Sequence, residues 1–166
     1  IGLVARHLPA AVRDGGDRAA REGMMMASLL AGMAFGNTDV AGVHCLAEAI
    51  GGRYDTPHGV ANSVFLPHVF AANAEVAPAR HAAVAAALGL DTRGLADEAA
   101  ARDAAERIAA LAAEVGIPRL RALRGVDPAD FPSLAEASKR NVSDPSNCRE
   151  LSVADYLALL ERAWEA

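Results

Sequence analysis

Two histidines carry the chemistry most open to reading in this chain. His44 lies in the stretch VHCLAEAIGG and His58 follows Pro57 in TPHGVAN, fourteen residues further on. That interval is too long for the i, i+4 geometry by which one helix presents two ligands on one face. A helical hairpin would bring them together another way, the late part of the first helix lying beside the start of the second. Two imidazoles could then meet one ion, and imidazole is a common ligand for zinc, iron and nickel. By spacing alone, two core histidines bonded to backbone carbonyls are the commoner reading. Glu48 stands one turn after His44 on the same helical face, and it could be a functional carboxylate or a solvated, salt-bridged one.

The elements that must position these residues follow from periodicity. Apolar residues at Leu3, Val4, Leu8, Ala11 and Val12 make a helical stripe over residues 1–12, ended by Asp14-Gly15-Gly16-Asp17, with Asp17 as N-cap of the next helix. Residues 18–35 read as a long helix whose Met24-Met25-Met26 run is adaptable packing material. Gly36 to Asp39 interrupts it, with Asp39 as a cap, and residues 40–50 resume helix. Gly51-Gly52 is expected to cap and turn, giving a hairpin loop over residues 51–57, with the second arm over 58–73. Further helices are expected over 78–89, 97–115, 131–141 and 153–164. Pro78 starts the first of them and Ser152 caps the last. Residues 142–149 read as an irregular loop. No period-2 alternation persists and no internal repeat is seen, so the expected fold class is all-α, one helical domain over residues 1–166.

Composition bounds the function. The chain has 166 residues, 52% hydrophobic and 22% charged, with a net charge of −5. Alanine dominates while β-branched and aromatic residues are scarce, which favours helix. No basic stripe suggests nucleic acid, no apolar run suggests a membrane span, and the opening residues are not a signal peptide. Cys45 and Cys148 are too few for a disulfide framework, so a cytoplasmic, reducing setting is expected. There is no initiator Met, and the first residues read like a helix already under way, as in the tail of a longer protein.

GMAFGN, followed by VHCLAEAIGGRYDTPHGVANSVFLPHV, resembles the helical C-terminal domain of the iron-dependent (group III) alcohol dehydrogenases. The likeness is continuous for about forty residues and includes both histidines at the family's interval. A weaker likeness covers the closing NCRELSVADYLALLERAW. The resemblance implies an oxidoreductase that moves hydride between NAD or NADP and a small alcohol or carbonyl, with a divalent metal (Fe or Zn) as Lewis acid on the substrate oxygen. It makes His44 and His58 half of a four-ligand set. The other half, an Asp and a His one turn apart, has no match here and would lie upstream of Ile1. An N-terminal nucleotide-binding domain would hold the cofactor, and a homo-oligomer is expected. Cofactor-binding residues within the chain stay unassigned.

The resemblance also bears on single residues. Many relatives carry a histidine where this chain has Glu48, so Glu48 becomes the candidate catalytic residue, as proton relay or extra anionic contact. Phe35 matches a position lining the substrate channel, against core packing as the plain alternative. Residues 143–149 resemble a loop closing over the substrate pocket, which makes Ser143 and Asn147 candidate substrate contacts. Cys148 replaces the family's usual proline. His68 reads as structural, and His81 as a surface residue without a partner. Two rival readings remain: a maleylacetate reductase-like enzyme of the same superfamily, and a non-catalytic helical remnant or subunit.

Overall fold

The computed structural model describes all 166 residues, in eight α-helices and no strands. They are α1 (Gly2–Arg13), α2 (Arg18–Phe35), α3 (Gly42–Tyr54), α4 (His58–Ala74), α5 (Pro78–Ala87), α6 (Asp97–Glu114), α7 (Phe131–Lys139) and α8 (Val153–Glu165). The all-α expectation holds, and no helix is long and apolar enough to cross a membrane. Several boundaries have visible causes. Asp17 caps α2 by accepting from the Ala20 N–H. Ser152 and Asp155 form a reciprocal capping box at α8, satisfying two of the donors that every helix start leaves unpaired.

The main core joins α3, α4, α7 and α8 around Leu46, Ile50, Phe65, Leu134, Tyr156 and Leu160, all buried. Phe131 meets Trp164 edge-on at 5.8 Å between ring centroids, a favoured aromatic geometry. A smaller cluster of Ala85, Ala100 and Ala104 lets α5 and α6 approach closely, with Phe70 of α4 against it. Small side chains thus form the tight seam of α6. His81 of α5 departs from its expectation as a lone surface residue. It is half-buried, its ring stands edge-on to Phe70 at 4.6 Å, and Nδ1 lies 2.8 Å from the Ala77 carbonyl.

Another correction concerns Gly51-Gly52. They do not end a helix; α3 runs through both to Tyr54. The left-handed turn falls on Asp55 (φ 54°, ψ 32°), an acidic residue that tolerates that region better than most. Gly51 still matters, because the returning chain brings the Thr56 carbonyl to 3.4 Å from where its Cβ would sit. Gly52 has open space around it, and nothing in the packing explains it. Likewise α7 stops at Lys139, short of the expected Asn141.

α1 and α2 form a separate hairpin, touching the remainder through α1 and α6. It has few buried residues: none in α1 and only Ala20 and Ala27 in α2. Met25, Leu29, Leu30, Met33 and Phe35 are exposed along α2. What locks the pair is His7, whose ring lies directly over Gly23 so that a Cβ there would overlap it.

Gly23→Ala should therefore lower the thermal midpoint. Alanine gains about 1 kcal/mol of helix propensity, but overpacking at a close contact costs about 1–3 kcal/mol. Removing the ring as well, in His7→Ala/Gly23→Ala, should recover part of the loss; a rise in stability for Gly23→Ala alone would contradict this packing.

His68 gives a pH dependence. It is half-buried in α4, and burial, followed by the Arg162 charge, lowers its pKa from 6.5. The unfolded chain then binds a proton more readily than the folded one, so stability is intact above about pH 6.5 and declines as pH falls through that value toward the depressed folded one. The urea midpoint should drop between about pH 7.5 and about pH 5.5, and less steeply in His68→Gln.

Candidate metal and substrate site

The site forms where the starts of α3 and α4 meet. His44 is in the first turn of α3 and His58 is the first residue of α4. Their ring centroids are 5.2 Å apart with planes tilted by 50°. Both imidazoles do reach one place, although by the starts of the two helices and not, as expected, by the late part of the first beside the start of the second. His44 is half-buried. Burial first, then the neighbouring His58, lowers its pKa, against smaller upward pulls from Glu48 and Asp39. The neutral ring that results is the form that binds metal.

Asn62, one turn into α4, holds the second ring. Its Nδ2 lies 3.0 Å from His58 Nε2 and donates at 3.0 Å to the His58 carbonyl. The other end of the same amide, Asn62 Oδ1, is buried without a hydrogen-bond partner. The i, i+4 relation to His58 was available as a signal, although the sequence reading did not use it.

Two imidazoles from converging helices fit a divalent ion as nitrogen donors. They are half a coordination shell, since no group of three or more His, Cys, Asp or Glu side chains is assembled anywhere in the chain. Catalytic metal sites commonly use three protein ligands and a water.

Glu48 lies on the exposed side of α3, near enough to act on the His44 charge. Its carboxylate is turned toward α7's end, where Oε2 accepts from Asn141 Nδ2 at 2.6 Å. Ser143 is buried, at 6% exposure, and its N–H donates to Asn141 Oδ1 at 2.9 Å. Asn147 has a different employment from the one expected. It exchanges reciprocal amide bonds with Asn73 of α4 (2.8 and 2.9 Å), donates to the Arg149 carbonyl and accepts from the Gly42 N–H. With these groups committed, it fastens the 142–149 segment to both site helices. Phe35 closes α2 and is exposed.

Asp39 does not cap α3. It sits in the left-handed region at φ 68°, accepting from Val40 N–H and, at 3.4 Å, from the Ser146 hydroxyl. The start of α3 has no side-chain cap at Ala41; Asn147 serves that end from a distant part of the chain. Asn73 and Asn141 had no local signal, because their partners lie far away in sequence.

Behind the site, Tyr156 is buried and donates to Asp144 Oδ1 at 2.8 Å, while Lys139 reaches Asp144 Oδ2 at 2.8 Å. Burial first, then bonds to Cys45 and Asp144, raises the Tyr156 pKa. Burial is also the main reason the Cys45 thiol is shifted up. Cys148 is free and exposed.

Comparison with known proteins bears on the family and the fold. Residues 1–164 match the model of the Fe-containing alcohol dehydrogenase family, C-terminal. The chain is 43% identical over 164 residues to 1,3-propanediol dehydrogenase of Citrobacter freundii, covering 99% of this chain and 42% of that protein. It is 38% identical over 149 residues to lactaldehyde reductase of Escherichia coli (strain K12), covering 90% and 39%. Among solved structures, a 1,3-propanediol oxidoreductase superposes with a TM-score of 0.95 at 42% identity, over 98% of this chain and 42% of that one. The alcohol dehydrogenase from Oenococcus oeni gives 0.94 at 34% identity, with the same coverage. The chain thus spans about two-fifths of the length of these relatives. On these matches, and on the helical architecture they share, the chain belongs to the Fe-containing alcohol dehydrogenase family and corresponds to its C-terminal part.

Proposed function

We propose that these 166 residues form one metal- and substrate-bearing domain of an NAD(P)-dependent alcohol dehydrogenase. The observation that carries this reading is the pairing of the neutral His44 ring with His58 at 5.2 Å on two converging helices. A bound Fe or Zn ion would supply Lewis-acid polarisation of an alcohol or carbonyl oxygen. His44 and His58 would hold it, with Asn62 orienting the His58 ring from one turn away. The remaining ligands would come from a helical segment outside these 166 residues, and the NAD or NADP from an N-terminal nucleotide-binding domain.

Glu48 is the proton-handling residue of the proposal. With Oε2 engaged by Asn141, Oε1 is the oxygen left to take a proton from a substrate hydroxyl or to return one to a carbonyl. Phe35 and Ser143 would flank the substrate's approach, while Asn147 acts indirectly by fixing the segment that carries Ser143. A small alcohol or its carbonyl product is the proposed substrate class, supported by the names of the similar enzymes, 1,3-propanediol dehydrogenase and lactaldehyde reductase. The exposed apolar side of α2 supports further protein surface against it, from the nucleotide-binding domain or from a second copy in a homo-oligomer. A cytoplasmic setting belongs to the same reading, supported by two free cysteines.

Zn(II) titrated into the protein should bind weakly, and His58→Ala should weaken that binding by about a hundredfold or more. The protein alone should give negligible NAD or NADP reduction with added metal and 1,3-propanediol. Joined to the nucleotide-binding half of the Citrobacter freundii relative, it should turn over, and His58→Ala should abolish the activity. Robust turnover by the short chain, or metal binding indifferent to His58→Ala, would overturn the assignment.

A further inference from the structure

Glu48 poses a chemical problem. It stands one turn from His44 on a side chain with three rotatable bonds, and two imidazoles plus one carboxylate is a set that binds divalent metals well. A free carboxylate at that position would be drawn onto any ion the histidines hold. It would then be spent as a ligand and lost as a proton acceptor. Yet no three-ligand group exists in the fold, and the carboxylate is held elsewhere.

What holds it is Asn141, just past the end of α7. Its amide is pinned at both ends. Oδ1 accepts from the Ser143 N–H at 2.9 Å, which leaves only the NH2 end to face Glu48, and Nδ2 donates to Glu48 Oε2 at 2.6 Å. The backbone bond thus decides which way the amide points. The NH2 group offers hydrogens and no lone pair, so it accommodates an ionised carboxylate. Asn141 is itself half-buried, and its segment is fastened independently by Asn147 and by the Tyr156–Asp144–Lys139 network. The latch is therefore anchored to the core and does not move freely with Glu48.

We propose that Asn141 is a positioning residue that keeps Glu48 outside the coordination shell of an ion held by His44 and His58. The inference rests on the metal-site reading above. Its consequence is that the chain stays a two-ligand half-site by restraint, although a third donor lies within its own first helix of the site.

Co(II) binding to the protein tests this, because its visible spectrum reports ligand number. Asn141→Ala should tighten Co(II) affinity by about tenfold and change the absorption bands, as the released carboxylate joins the ion. In Glu48→Gln/Asn141→Ala the affinity gain should vanish. Unchanged affinity and spectrum in a folded Asn141→Ala, or a gain that persists without the Glu48 carboxylate, would overturn the latch. Should Asn141→Ala fail to fold, Glu48→Ala reads the same bond from the other side. The Asn141 side-chain amide protons should move upfield in nitrogen-edited spectra, and no movement would count against the proposal. Failure of the site reading looks different: Co(II) binding would then be absent, or insensitive to His58→Ala, in the unaltered protein. Binding that is lost in His58→Ala yet untouched by Asn141→Ala would defeat the latch alone.

Discussion

The arrangement of the site depends on one unpaired donor. α3 begins without a side-chain cap, so the Gly42 N–H must find an acceptor elsewhere, and it finds Asn147 Oδ1 at 3.4 Å. The bond is long, and its weight comes from the company it keeps. The same amide is locked face to face with Asn73 near the end of α4. One side chain thereby ties the 142–149 segment to the two helices that carry the histidines. A neutral hydrogen bond adds only about 0.5–1.5 kcal/mol net, while a buried partner left unpaired costs about 1–3 kcal/mol. The asymmetry makes such a clamp more important for uniqueness than for total stability.

The second fastening is electrostatic. Tyr156 has no exposure, and a phenol in that position needs an acceptor. Asp144 provides it with one oxygen and receives Lys139 on the other. Held from the core side in this way, a segment that lacks α-helix can present Asn141 and Ser143 toward α3 with defined geometry. The histidine pair asks for the same care. Two imidazoles at 5.2 Å would repel if both were charged, and burial of His44 avoids that by keeping its ring neutral.

Much of this was legible beforehand, in proportion to how local its causes are. The span of α2, the Asp17 cap and the Ser152 cap depend on neighbours within a turn, and the structure has each of them. Gly51-Gly52 misled because glycine's preference for helix ends is only an average: α3 continues through both, and the left-handed turn falls on Asp55. Asp39 misled for the opposite reason, since a residue suited to capping was drawn away by Val40 and Ser146. The pairing of His44 with His58 was readable from the family resemblance, while the spacing alone left it open. Asn141 and Asn73 were invisible, because nothing near them in the chain signals a partner on another helix.

The outer side of α2 has a redox chemistry of its own. Three of the chain's four methionines, Met25, Met26 and Met33, stand exposed there. Thioethers open to solvent are converted by peroxide to sulfoxides, which are polar and chiral where the parent was apolar. Oxidative ageing would thus turn this greasy ridge hydrophilic while the histidine pair, on other helices, kept its surroundings. Exposure to peroxide would therefore alter this ridge before the histidine pair.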